Sequence, residues 1–186
     1  MGAAAIMRHT TSSVFFLAVL SLAFLFTALP IYATPMQSSP CQAPEHRQFD
    51  FWVGDWEVHD PAGNVVGTNK VTREQDGCLL VEHWVSAKGK ETGTSFNYYD
   101  IRDKKWHQLY LDNSGNAGAF PAMADQFTDG KMVLISDQTV TPVFRWTWYV
   151  TSAGHVRQMA ERSTDNQKTW KIFWDSVYLD NNQAAK

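Results

Sequence analysis

Polar and aromatic side chains alternate along several short segments in a way that can build a binding surface. Asn97 and Tyr99 stand two residues apart, as do Trp106, Gln108, Tyr110 and Asp112. Arg157 shares its parity with Glu161 and Ser163, and Arg145 alternates with Trp146. On a strand, residues two apart point to one face. If those faces turn inward, Trp84, Asn97, Tyr99, Gln108, Arg157 and Glu161 form a ligand site. An Arg and two amides beside aromatic rings would orient a carboxylate or hydroxyl on an otherwise apolar molecule. With Glu161 or Asp112 as base and Arg157 as anion holder, the same group would serve an isomerase or cyclase. The opposite choice of faces is equally periodic: Leu109 and Leu111, with Trp146 and Trp148, would then fill the core. Arg157 with Glu161 would in that case be an ion pair serving the fold.

Other chemistry is absent from the sequence. There is no nucleophile elbow, Gly-rich phosphate loop, H-E-x-x-H or Cys-x-x-Cys. His46, His59, His83, His107 and His155 are not paired at ligand spacing, so no metal or cofactor is expected. The formal charge is −3, with no basic excess to neutralise phosphates, which argues against a nucleic-acid partner. The expected partner is a small apolar or amphipathic molecule.

The elements that must position these residues are strands. Turn signals recur at Pro61–Asn64, Gln75–Gly77, Lys88–Lys90, Arg102–Lys104, Asn113–Asn116, Thr128–Gly130, Ser152–Gly154 and Thr164–Asn166. Between them lie segments rich in Val, Thr, Trp, Tyr and Phe, such as Leu79–Ala87, Lys105–Asp112 and Val143–Thr151. Residues Ala117–Phe127 form the weakest of them. No window beyond about ten residues has a 3.6-residue apolar period, so little helix is predicted beyond a turn near His46–Trp52. The whole chain has 186 residues, 44% of them hydrophobic and 13% aromatic, which supports one packed domain and excludes a disordered chain. The fold predicted is all-β: an up-and-down antiparallel barrel of about ten strands, spanning 49–180. Residues 34–48 read as an N-terminal arm and 181–186 as a tail.

The first residues read as an address. Arg8 precedes an apolar run, Val14–Leu29, of about 16 residues, short of the roughly 20 needed to span a bilayer. A basic head, an apolar middle and a small residue at the end describe a secretory signal peptide over 1–33, cut after Ala33. A secreted or periplasmic location follows, with no membrane span after cleavage. Pro40 directly before Cys41 argues against lipid attachment there. With two cysteines in an oxidising compartment, a Cys41–Cys78 disulfide is expected.

The sharpest motif is Phe49-Asp50-Phe51-Trp52-Val53-Gly54-Asp55-Trp56. Gly54 permits a tight approach of the chain, and Trp56 can plug one barrel end, with Arg145, Arg157 or Arg162 stacked on it. This Gly54-x-Trp56 start resembles that of lipocalins and their calycin relatives. The chain is also similar to a bacterial family of secreted, lipocalin-like proteins without a settled activity. The matching positions are Asp50–Trp56, then Gly77, Cys78, Leu80, Glu82 and Trp84, then Ser95, Asn97, Tyr99 and Asp100. Trp106 and Gln108 continue the pattern, followed by Gly154, Val156, Arg157, Gln158, Glu161 and Ser163, and by Thr169-Trp170. Asp165-Asn166-Gln167-Lys168 departs from the family's usual turn. The resemblance implies a barrel that binds a small ligand. A barrel enzyme using a buried carboxylate, or an interaction domain with a filled barrel, are the alternatives.

Overall fold

The computed structural model describes residues 40–120 and 127–181. The expected signal peptide, residues 34–39 of the arm and most of the tail lie outside them. Among the described residues eleven strands join one antiparallel sheet in up-and-down order, curled through 283° into a half-barrel. Five strands run from β1 (Gly54–His59) through β2 (Val65–Glu74), β3 (Leu79–Ser86) and β4 (Thr92–Asp100) to β5 (Lys105–Asp112). Two short strands, β6 (Ala117–Phe120) and β7 (Phe127–Thr128), replace the weak segment between 117 and 127. The series ends with β8 (Lys131–Ile135), β9 (Val143–Val150), β10 (Val156–Ser163) and β11 (Lys171–Asp180). The last strand returns to pair with β1, Val58 opposite Tyr178, so the first and last strands are neighbours in the sheet. Among the described residues the ladder begins at β6 and finishes at β7.

Aspartates tie several turns. Asp60 accepts from the backbone N–H of Ala62 and Asn64, and Asp112 does the same for Ser114 and Asn116. These Asx bonds hold the chain reversal locally, which is why the turns are legible in sequence. Asp112, a candidate base from its parity, is therefore committed to the β5–β6 turn.

One end of the half-barrel is filled by the N-terminal 3-10 turns Pro44–Arg47 and Asp50–Trp52. Phe49 and Trp52 are completely buried and stack at 4.9 Å, with Trp148 against both rings at 5.2 and 5.4 Å. Met132, Leu134, Leu80 and Val58 complete this core. Each such aromatic pair contributes about 0.5–1.5 kcal/mol beyond the area it buries. Trp56 belongs to the same cluster and donates its indole N–H to the Trp52 carbonyl at 2.9 Å. Gly54 is needed there: a Cβ would sit 2.5 Å from the Trp56 ring. Of the arginines expected over Trp56, Arg145 instead stacks on Trp170 at 4.1 Å and Arg157 pairs with Asp175.

Cys41 and Cys78 form a disulfide with Cα atoms 4.9 Å apart. It fastens the N-terminal turns to the β2–β3 connection. Arg47 reinforces the same junction by donating to the carbonyls of Cys41 and Gly77, and Arg73 pairs with Asp50. A disulfide fits an oxidising compartment. Among the described residues no helix is long and apolar enough to cross a membrane.

Candidate functional site

Beyond the aromatic plug, toward the other end of the half-barrel, a cavity of about 220 Å³ opens between β3, β5, β9, β10 and β11. Its walls are the rings of Trp84, Tyr110, Trp146 and Trp174, and its polar floor carries Glu82, Gln108, Gln158 and Tyr178. Trp84 and Trp174 meet edge to face at 5.7 Å across the intervening strands β1 and β2. Two glycines make room for the rings. A Cβ on Gly67 would lie 2.4 Å from the Trp84 ring, and one on Gly93 would lie 2.1 Å from the Tyr110 hydroxyl.

The floor is a hydrogen-bonded network laid out by strand register. Glu82 of β3 stands opposite Ser95 of β4, and Asn97 of β4 opposite Gln108 of β5. Gln108 donates from Nε2 to Asn97 Oδ1 at 2.8 Å. Asn97 Nδ2 donates to Ser95 Oγ at 2.8 Å and to the Leu80 carbonyl at 3.3 Å. The Leu80 carbonyl can only accept, so it fixes which way the Asn97 amide points. Ser95 then sends its single hydrogen to Glu82 Oε2 at 2.5 Å. From β2, Asn69 Nδ2 donates to Glu82 Oε1 at 2.7 Å. Both carboxylate oxygens thus accept from neutral donors.

Glu82 is 6% exposed. Burial pushes its carboxyl above the usual glutamate range, against the two hydrogen bonds that favour the charged form. Burial and the nearby Glu82 carboxyl also raise its phenolic neighbours, Tyr110 to about 12 and Tyr178 well above 10. On the far side Tyr178 donates to Gln158 Oε1 at 2.6 Å, and Trp174 Nε1 donates to the same oxygen at 3.0 Å.

The structure divides the residues singled out from sequence. Trp84 and Gln108 line the cavity. Asn97 is fully buried behind Gln108 and acts through it. Tyr99 shares their inward face but lies at the plugged end, edge-on to His46 at 5.0 Å and to Trp106 at 6.2 Å.

Arg157 and Glu161 are not brought to this group. The inward residues of β10 are Val156, Gln158 and Ala160, so Arg157 points outward. It pairs with Asp175 of β11 at 2.6 Å, with a third of its side chain exposed. Glu161 follows a register shift after Ala160 and pairs with Arg145 at 2.8 Å. The expected Arg-to-Glu convergence inside the barrel is therefore replaced by two separate outer-wall pairs. A charged Arg side chain escapes the cost of burial that way.

Sequence reasoning missed Glu82, Tyr110, Gln158 and Trp174 as lining residues. The signal for Glu82 was present: it shares its parity with Leu80 and Trp84 inside an apolar strand, where a lone carboxyl is unexpected. A second carboxylate group, Asp100, Asp103 and His107, brings ligand atoms within 4.8 Å at the exposed β4–β5 turn. Its members already have partners: Arg102 on Asp100, and Asp103 on His107.

No protein-family model matches this chain. A search of curated proteins also finds no match.

Proposed function

We propose that this chain is an extracytoplasmic, lipocalin-like half-barrel that holds one small amphipathic molecule in the Trp84–Trp174 cavity. The observation that carries this reading is an aromatic-walled space ending on a satisfied polar floor. Space-filling alone calls for an apolar floor, since buried polar groups return little net stability. A cavity of roughly 150 Å³ accommodates a benzene-sized molecule, so about 220 Å³ suits a single ring or short chain with one polar substituent. The disulfide supports the secreted or periplasmic location, as does the apolar run before Pro30. The lipocalin-like motifs agree with it. Native mass spectrometry of the protein purified from its own compartment, under non-denaturing conditions, tests the reading. A bound small molecule that is lost in a Trp174→Ala variant is the expected result. An unliganded protein whose tryptophan fluorescence no small aromatic compound alters would refute it.

A second reading, an acid–base enzyme, is favoured by one observation. Glu82 is a buried carboxyl with a raised pKa facing a cavity, as general acids and bases often are. Glu82 takes the place there of Glu161 and Asp112. Turnover of the co-purified molecule, lost in Glu82→Gln while its binding persists, would establish this reading over the first.

A further inference from the structure

Resting on the binding reading, we propose that the cavity selects a small organic cation, its charged nitrogen held against Glu82 and its frame against the aromatic walls of Trp84, Tyr110, Trp146 and Trp174. Three observations converge. The first is the sign of the site: the groups hydrogen-bonded to the Glu82 carboxyl are Ser95 and Asn69, both neutral, and among the described residues no Lys, Arg or His lines the cavity. The arginine expected to hold an anion faces the outer wall with Asp175. An anionic ligand would therefore meet an unneutralised carboxyl in a water-poor space. The second is the direction of the network. Gln108, Asn97 and Ser95 each donate toward Glu82, and Asn69 donates from the opposite side. The Tyr178 hydroxyl hydrogen is spent on Gln158. The floor thus offers a carboxyl arranged as an acceptor, and a buried carboxylate lacks only a positive partner. The third is the walls. Trp and Tyr faces attract cations through the ring quadrupole, with Trp the strongest of the side chains, and Trp84, Trp146, Trp174 and Tyr110 surround this space.

The test uses three ring-sized probes of matched shape: benzylammonium, neutral benzyl alcohol and anionic benzoate. Each is titrated into the purified protein at constant ionic strength, with intrinsic tryptophan fluorescence as readout and calorimetry as check. Benzylammonium should bind at least tenfold more tightly than benzyl alcohol, a factor expected of a desolvated cation–π and charge-assisted contact. Benzoate should bind weakest. Glu82→Gln should erase the preference for benzylammonium over benzyl alcohol; a preference that survives the substitution overturns the role of Glu82. The wild-type comparison stands by itself should that variant fail to fold. Benzyltrimethylammonium then distinguishes the two kinds of cation: loss of binding relative to benzylammonium indicates a hydrogen-bonded amine, and equal binding a cage for quaternary nitrogen. Benzyl alcohol or benzoate binding as tightly as benzylammonium overturns the cation proposal and leaves the binding reading in place. Failure of all three probes to bind overturns both.

Discussion

Replacing Glu82 by Gln should remove a pH-dependent loss of stability from the ligand-free protein above pH 4.5. The folded state raises the carboxyl above its unfolded value of 4.5, so between those two values the native chain holds a proton that the unfolded chain has released. Stability contributed by this group is therefore complete below pH 4.5 and is lost as pH rises through the raised folded value. The loss runs at about 1.4 kcal/mol per pH unit across that interval, then stops. Gln carries no such proton and escapes the slope. It brings its own cost, because one of its two terminal groups is a donor. Ser95 must then accept from it and leave its own hydrogen without the Glu82 oxygen, at about 1 kcal/mol. The stability difference should consequently move in favour of the variant as pH rises from 4.5 through the raised folded value. Urea unfolding followed by tryptophan fluorescence at several values between pH 4.5 and 8 measures the difference. The other titratable groups around this carboxyl, Tyr110 and Tyr178, are both raised and do not titrate in this range. The turn aspartates Asp60, Asp112, Asp137 and Asp165 are held below the usual carboxylate range and are common to both proteins, so they cancel. A difference that stays constant from pH 4.5 to 8 would refute the reasoning. A carboxyl retained at a cost to stability is what a binding or catalytic role requires.

Removing the disulfide with a Cys41→Ala/Cys78→Ala pair should lower stability by about 3–4 kcal/mol, from the chain entropy of a loop with separation 37. Urea unfolding that shows a loss below about 1 kcal/mol would mean that the Arg47 contacts alone hold the junction. Gly93→Ala should cost about 1–3 kcal/mol by overpacking, since its Cβ would meet the Tyr110 hydroxyl at 2.1 Å. Displaced Tyr110 should also weaken probe uptake, which fluorescence titration reads; unchanged stability and uptake would deny the close approach. Arg157→Ala should leave uptake of every probe unchanged and shift stability by less than about 1 kcal/mol, because its partially exposed pair with Asp175 is on the outer wall. Selective loss of anionic-probe binding in that variant would restore the inward placement.

How much was legible from the chain itself depends on the range of the interaction concerned. Strand and turn are local, and Gly-, Asn- and Asp-bearing breaks between β-branched and aromatic segments marked out the antiparallel meander. The disulfide needed only two cysteines and an oxidising compartment. Which face of each strand points inward is a different kind of question. Aromatic residues stand on both faces, so period-two alternation is ambiguous by one residue. On β5 the inward set is Trp106, Gln108 and Tyr110, while the more apolar Leu109 and Leu111 are exposed. On β10 one step of parity exchanges Arg157 for Gln158, and a register shift after Ala160 carries Glu161 away from the cavity. Glu82 became a site residue only because its register places it opposite Ser95 and diagonal to Asn69, which satisfies both of its oxygens. Trp84 and Trp174, ninety residues apart, become neighbours because β11 returns to β1 and closes the curl between them. Local chemistry thus determined the strands, while long-range pairing decided which side chains share an interior.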